Sequence, residues 1–303
     1  MKTHDYILFF SNKGRIYRMK GYEVPEFSRQ SKGLPIINLL PLEKDENISS
    51  IISLSADNEE HKYLVFVTRQ GLVKRTELSE FDNIRKSGKI AIGLKDDDEL
   101  IYVGVTTGND EIAIGANNGR MVRFNEDEVR VMGRSSSGVK GIELEESKVI
   151  GAEVIKPGQL ILIVTENGYG KKSEIEEYRL THRGSKGVKA LNITEKNGMM
   201  VALDCVDADG EYDLMIITDS GTIIKLPLEQ VSTLKRATQG VRLINLKDDQ
   251  KVSTVAVVEK EEMSENEENS EENQTVESTN SDVENTQIEN SDIVEKSSND
   301  ENN

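Results

Sequence analysis

Short apolar runs alternate with glycine turns through the first 258 residues. "YILFF" (6–10), "ELIYVGVT" (99–106), "EIAIGA" (111–116), "RMVRF" (120–124) and "KVSTVAVV" (251–258) are typical, each five to eight residues long. They are rich in valine, isoleucine and threonine, and no stretch of useful length carries the 3.6-residue period of an amphipathic helix. The pattern predicts strands throughout.

The runs recur in register. Five turns place a glycine before a short strand: "NKGRIYRM" at Gly14, "RQGLVKRT" at Gly71, "NNGRMVRF" at Gly119, "ENGYGKKS" at Gly168 and "DSGTIIKL" at Gly221. A second glycine opens another strand 19, 17, 19, 19 and 19 residues later, at Gly33, Gly88, Gly138, Gly187 and Gly240. Two markers that keep step through five copies define a repeat of about 50 residues. Each unit reads as four strands. Strands one and two are expected to form a hairpin through "TGND" (107–110), and strands two and three through "NNGR". Four strands per repeat predict an all-β, propeller-like toroid. The chain opens on a strand two and ends its patterned part on a strand one, so the last strand is expected to complete the first blade.

Charge changes the picture at one end. The chain of 303 residues carries 38 Lys and Arg against 55 Asp and Glu, a net of −17. From Glu259 to Asn303 there are 16 acids and two lysines, a net of −14, which leaves −3 for residues 1–258. Residues 1–258 therefore read as the folded domain. Residues 259–303, mostly Glu, Asn and Ser, have too little apolar surface to offset ordering entropy and are expected to be disordered. Such a polyanion can also compete for any cationic surface.

Cations keep the register of the glycines. Four residues after the first glycine stand Arg18, Arg75, Arg123, Lys172 and Lys225. Four residues before the second stand Arg29, Arg134, Arg183 and Arg236, with Arg85 one place later in its repeat. Around the second glycine lie Lys32, Lys89, Lys140, Lys186, Lys189 and Arg242. One reading pairs these cations with acids inside each blade. The other makes them a belt of positive charge on the rim, suited to a phosphate backbone. Aromatics are too sparse in these loops for stacking on single-stranded bases, and no helix is built to enter a major groove. The belt reading implies duplex DNA bound through its backbone and bent along the rim.

The residues also carry a resemblance. "HDYILFFSNKGRIYRMKGYEVPE", "KGLPIINLLPL", "GKIAIGL", "GVKGIEL", "NGYGKKS" and "SKGVKALNI" resemble the C-terminal domain family of DNA gyrase A across residues 4–258. The resemblance implies a six-bladed β-pinwheel with strands exchanged between blades, of which five repeats are visible. It implies sequence-independent wrapping of duplex DNA around a basic rim, in support of ATP-dependent negative supercoiling by a type II topoisomerase. The basic residues named above would contact DNA, with Lys186 and Lys189 foremost. Partners would be the N-terminal part of gyrase A and the whole of gyrase B, in a heterotetramer holding two copies of each. ATP and magnesium would belong to the rest of that complex, and no cofactor or metal to this chain. The family's glutamine-arginine-arginine-glycine-glycine-lysine-glycine box is absent, its nearest echo being "HRGSKG" (182–187), and so is the cleavage domain with its tyrosine. The chain therefore reads as a fragment that keeps the wrapping surface.

Catalysis within the chain is not expected. His4, His61 and His182 fall in separate repeats, and Cys205 lies in an apolar run as a small hydrophobe suited to a reducing cytoplasm. "GRSSSG" (133–138) has Ser137 where a nucleophile elbow needs its second glycine, and "GYGKKS" (168–173) joins strands and opens no helix. No run approaches the roughly 20 apolar residues of a membrane span, and no signal sequence opens the chain. A bacterial cytoplasmic, nucleoid-associated protein is expected. Two rivals remain open: the C-terminal domain of the gyrase A counterpart in topoisomerase IV, and a protein-binding propeller.

Overall fold

A computed structural model describes residues 2–28, 30–55, 60–247 and 249–260, and among these nineteen strands carry the apolar runs. In chain order the strands begin with β1 (Tyr6–Ser11), β2 (Arg15–Lys20), β3 (Ile48–Leu54), β4 (Tyr63–Thr68), β5 (Leu72–Glu77) and β6 (Lys89–Ile90). There follow β7 (Leu100–Thr106), β8 (Glu111–Ala116), β9 (Arg120–Asn125), β10 (Val139–Lys140), β11 (Val149–Ile155), β12 (Gln159–Thr165) and β13 (Tyr169–Glu174). The last are β14 (Val188–Lys189), β15 (Met200–Asp207), β16 (Tyr212–Thr218), β17 (Ile223–Pro227), β18 (Val241–Arg242) and β19 (Val252–Glu259). Among the described residues there is no α-helix, only single 3-10 turns, and nothing helical that could cross a membrane.

Five sheets form a propeller-like ring. Their orders are β3-β1-β2-β6, β7-β4-β5-β10, β11-β8-β9-β14, β15-β12-β13-β18 and β19-β16-β17. Every blade is thus built on one tight hairpin. At each hairpin turn the first glycine donates its N–H to the carbonyl three residues back, from Gly14 to Ser11 at 2.9 Å through Gly221 to Thr218 at 3.0 Å. The φ angles of these glycines run from 74 to 81°, which only glycine adopts freely. The inner strand of each blade arrives from the next repeat, and in the first four blades an outer two-residue strand follows that repeat's second glycine. Strand exchange between blades is what the resemblance implied.

Two expectations about pairing are corrected. "TGND" is no hairpin: it carries the chain from β7 in the second sheet to β8 in the third. Its amides turn to a side chain, since the buried Glu126 accepts the N–H of Gly108 (2.7 Å) and of Asp110 (2.9 Å). With its donors satisfied there, the segment has no need of cross-strand partners. Nor does the last strand complete the first blade. β19 pairs with β16 of its own blade, and β1 already has β3 at its inner side.

The core lies between blades, not within them. Val65, Val67 and Val73 of the second blade pack with Ile112, Ile114, Val122 and Phe124 of the third, and each other seam is similar. Hairpin strands are covered on both faces, so "LVFV" and "ILIV" run apolar without alternation. Each fully buried side chain such as Phe66 contributes about 1.5–3 kcal/mol. The hub forms where β3 meets β7, β7 meets β11, β11 meets β15 and β15 meets β19.

The two ends lack what the middle has. The fifth sheet has three strands among the described residues, so β17 keeps an open outer edge. At Gly187 an added Cβ would lie 2.2 Å from the Met121 carbonyl oxygen of the preceding blade, whereas at Gly33 it would meet nothing within 4 Å. Leu34, Ile36 and Ile37 beside Gly33 are exposed accordingly. The expected disorder of the acidic tail from residue 261 onward lies outside the described residues.

Candidate nucleic-acid interface

The outermost strands β6, β10, β14 and β18 set the position of the second-glycine loops. Each is fixed by one recurring bond, in which the third residue after the second glycine donates to the first glycine of the preceding hairpin. Ala91 to Gly14, Gly141 to Gly71, Ala190 to Gly119 and Leu243 to Gly168 are all 2.8 Å. The loops then reach back to one another. Arg134 Nη1 donates to the Ile90 carbonyl (3.2 Å), Arg183 Nη1 to that of Lys140 (3.1 Å) and Arg236 Nη1 to that of Lys189 (2.9 Å). Main-chain bonds repeat the tie, from Gly93 to Ser136, Glu143 to Ser185 and Asn192 to Thr238. Four cation-bearing loops form one connected row along the outer edge.

Most lysines of the row face solvent. Lys140, Lys186 and Lys189 are exposed, as is Arg85. Lys140 pairs with Glu143 (2.6 Å), Lys186 with Glu145 (2.5 Å), and Lys189 donates to Asn192 Oδ1 (3.3 Å). Lys186 draws the Glu145 carboxyl below its ordinary value by hydrogen bond and charge. Such exposed pairs are weak, and a phosphate can replace the carboxylate. Lys89 Nζ donates to the Glu80 carbonyl (3.2 Å), and Arg242 holds Tyr169 Oη with Nε (3.1 Å) and Nη2 (2.9 Å). Lys32 is exposed beside Gly33 and stands outside the tied row, while Arg29 lies outside the described residues.

The structure adds cations that repeat spacing missed. Arg15 Nη2 reaches the Ser87 carbonyl (2.8 Å) and Arg120 Nη1 that of Gly187 (3.3 Å), placing both against the loops. They directly follow a first glycine, but Leu72, Tyr169 and Thr222 hold that place elsewhere, so no fivefold rule marks them. Lys86 and Lys235 also lie exposed in the loops, and their ammonium groups have no partner among the described residues.

The other station, four residues after the first glycine, is placed differently. Arg75 is buried; its Nη1 lies 3.4 Å from Glu126 Oε2 in the next blade, and its guanidinium sits 4.8 Å from the Tyr63 ring centre. Arg123 Nε pairs with Glu111 (2.5 Å), while its Nη1 donates to the carbonyls of Ile175 (2.8 Å) and Tyr178 (3.0 Å) in the next blade. Arg18 Nη1 donates to the Asp82 carbonyl (2.6 Å), again one blade on. Lys172 uses its main chain at the same seam, donating to Ser232 (3.0 Å), and burial lowers its ammonium pKa. Lys225, in the last blade, is exposed and pairs with Asp213 of its own hairpin (2.8 Å). The structure therefore brings the glycine-loop cations together on the edge and draws Arg18, Arg75, Arg123 and Lys172 into the seams.

A strand-exchanging β-wheel with a connected row of cationic loops on its circumference defines a class: bladed toroids built to present one charged edge. Residues 5–55, 62–107, 110–156, 159–207 and 212–259 match the family model described as DNA gyrase C-terminal domain, beta-propeller, and the chain belongs to that family. The DNA gyrase A of Staphylococcus epidermidis is 53% identical over 264 residues, covering 86% of this chain and 29% of that protein. The chain thus spans about three-tenths of the length of the curated relatives it matches. Among solved structures, the C-terminal domain of a DNA topoisomerase IV superposes with a TM-score of 0.77 at 29% identity, covering 90% of this chain and 85% of that one. A DNA gyrase A C-terminal domain gives 0.70 at 26% identity, covering 85% and 83%.

Proposed function

We propose that this chain binds duplex DNA through its phosphate backbone along the outer edge and bends it around the wheel. In this reading it serves as the wrapping domain of a DNA gyrase A. The observation that carries the proposal is the row of four second-glycine loops, tied loop to loop and bearing Arg85, Lys89, Arg134, Lys140, Arg183, Lys186, Lys189, Arg236 and Arg242. Close spacing of such cations suits a polyanion whose charges recur every few ångströms. Arg15, Lys86, Arg120 and Lys235 extend the same surface.

Bending 20–30 base pairs costs on the order of 1–6 kcal/mol, which several phosphate contacts offset. The wrap would serve ATP-dependent negative supercoiling carried out with the N-terminal part of gyrase A and with gyrase B, which supply cleavage, ATP and magnesium. A bacterial cytoplasmic, nucleoid-associated location follows from that role. The 53% identity to a gyrase A over 86% of this chain supports the gyrase reading.

The test is equilibrium binding to an end-labelled linear duplex across a salt series, with energy transfer between the ends reporting the bend. Affinity should fall steeply with salt, with a slope of about −0.9 in log K per phosphate neutralised, and should ignore base sequence. A flat salt dependence, or ends that never approach, would overturn the proposal.

A further inference from the structure

Two lysines lie where the blade pattern calls for an apolar residue. Lys74 and Lys171 stand three residues after the first glycine of their repeats, at the place held by Tyr17, Val122 and Ile224 in the others. Both are 0% exposed. Neither ammonium has a carboxylate within hydrogen-bond reach among the described residues. Each donates instead to two main-chain carbonyls: Lys74 Nζ to Ala91 (2.5 Å) and Arg134 (2.6 Å), Lys171 Nζ to Lys235 (2.8 Å) and Arg236 (2.6 Å).

Arg134 and Arg236 are edge-loop arginines whose guanidinium groups reach back to the preceding loop. The lysines therefore hold the main chain at the root of those ties. Burial works against this arrangement, lowering Lys74 to about 7 and Lys171 to about 8. An unbranched apolar side chain would fill the same space without that cost, so packing does not account for the lysines. The third repeat reaches the same end by another route. There Val122 fills the place, and Glu128 accepts the Arg183 N–H through its carboxylate (3.1 Å) and Arg183 Nε through its carbonyl (2.9 Å).

We propose that Lys74 and Lys171 are positioning residues of the DNA-binding edge: from inside the wheel they fix the main chain at Arg134 and Arg236, so that the loops hold their shape before a duplex arrives. The proposal rests on the DNA-binding reading above. The lysines themselves never touch DNA. They remove loop freedom that binding would otherwise have to remove.

The experiment uses the full chain carrying Lys74→Met and Lys171→Met together, with each single variant in parallel in case the pair does not fold. Val122→Ala is the control, because it weakens the core at the equivalent station without touching a loop carbonyl. Hydrogen exchange is followed at Ser136, whose amide donates to Gly133, and at Thr238, whose amide donates to Lys235. Duplex affinity and bend are read on the same proteins.

Exchange at Ser136 and Thr238 should quicken about tenfold while hairpin amides hold, because only the loops are released. Duplex binding should weaken by about three- to tenfold with a shallower bend, as ordering is transferred to the binding step. Val122→Ala should lower Tm and leave both readouts in place. Unchanged exchange and binding in the lysine variants would overturn the proposal. So would an equal loss of binding in Val122→Ala, since the lysines would then act through stability alone. Should the unaltered chain fail to bind duplex, the functional reading falls, while the exchange measurement still decides whether the lysines pin the loops.

Discussion

The seam station and the edge station hold the same residue types at equally regular intervals, yet they do different work. Arg75 and Arg123 are enclosed between blades, Arg18 is half-buried at its seam, and all three answer carbonyls or a carboxylate of the neighbouring blade. Lys140, Lys186 and Lys189 sit on or beside the outermost strands, where protein covers one side only. Spacing in a repeat protein reports that an environment recurs. It does not report which environment. What separates the stations is whether a next blade receives the cation, and Lys225, at the seam position of the fifth blade, is exposed with no further blade against it among the described residues.

The largest effect should come from opening a seam. Arg75→Met leaves the fully buried Glu126 facing a hydrocarbon, with only Thr106 Oγ1 (2.6 Å) and the amides of Gly108 and Asp110 as donors. Stranding a buried charge costs about 3 kcal/mol or more. In a domain of this size that is a fall in Tm of roughly 6–12 °C. Adding Glu126→Gln should return part of the loss, since the stranded charge goes with it. Duplex affinity of the protein that stays folded should barely move. If Tm holds while DNA binding drops, Arg75 belongs with the edge and the division into two stations is wrong.

The mirror experiment strips the edge. Replacing Lys140, Lys186 and Lys189 by Ala removes three exposed ammonium groups, and the two ion pairs among them, of Lys140 and Lys186, each contribute at most about 1 kcal/mol. Tm should stay within a few degrees. The salt slope of duplex binding should become shallower by about 0.9 for each lysine that neutralised a phosphate. An unchanged slope would remove these three from the interface.

Much of the wheel was legible in the sequence. Five glycine pairs gave the repeat, and five hairpin turns formed where the pattern put them. Which strand pairs with which was not legible. "ELIYVGVT" and "EIAIGA" are apolar on both faces, so either could flank any hairpin, and the choice is made by Glu126, which draws the intervening amides aside from 16 and 18 positions away. The edge loops were found through their glycines. The seam cations looked identical to them because burial depends on a partner about 50 residues later. Lys74 and Lys171 were hidden inside the dyads Lys74-Arg75 and Lys171-Lys172, where a charge count cannot say which member turns inward.

Those interior lysines give an intermediate effect with a definite sign. Unfolded, each keeps its proton up to the ordinary value of 10.5; folded, burial releases it from about 7 for Lys74 and about 8 for Lys171. Arg134 and Arg236 push the same way, and Glu80 and Glu177 oppose them. Between these values the unfolded chain binds more protons, so stability should rise with pH. From pH 7 to pH 8 the unaltered chain should gain on the double Lys→Met variant by on the order of 1.4 kcal/mol, roughly 3–6 °C in Tm. A constant gap would mean that the ammonium groups are not desolvated by the core, and the third kind of cation, interior yet serving the edge, would disappear.

The smallest effect decides whether the next blade is what gives the seam its strength. Lys225 occupies the same station as Arg75, but its side chain is 57% exposed and its partner, Asp213, lies in its own hairpin. Water screens the ammonium end of the pair, although the Asp213 side chain itself is only 6% exposed. Lys225→Met should therefore cost about 1 kcal/mol or less, at most roughly 2–4 °C in Tm. The ratio to Arg75→Met is the informative quantity, because residue class, strand position and register are shared and only enclosure differs. Equal losses at the two sites would mean that the station matters through its own hairpin, and the blade-to-blade account of these cations would have to be given up.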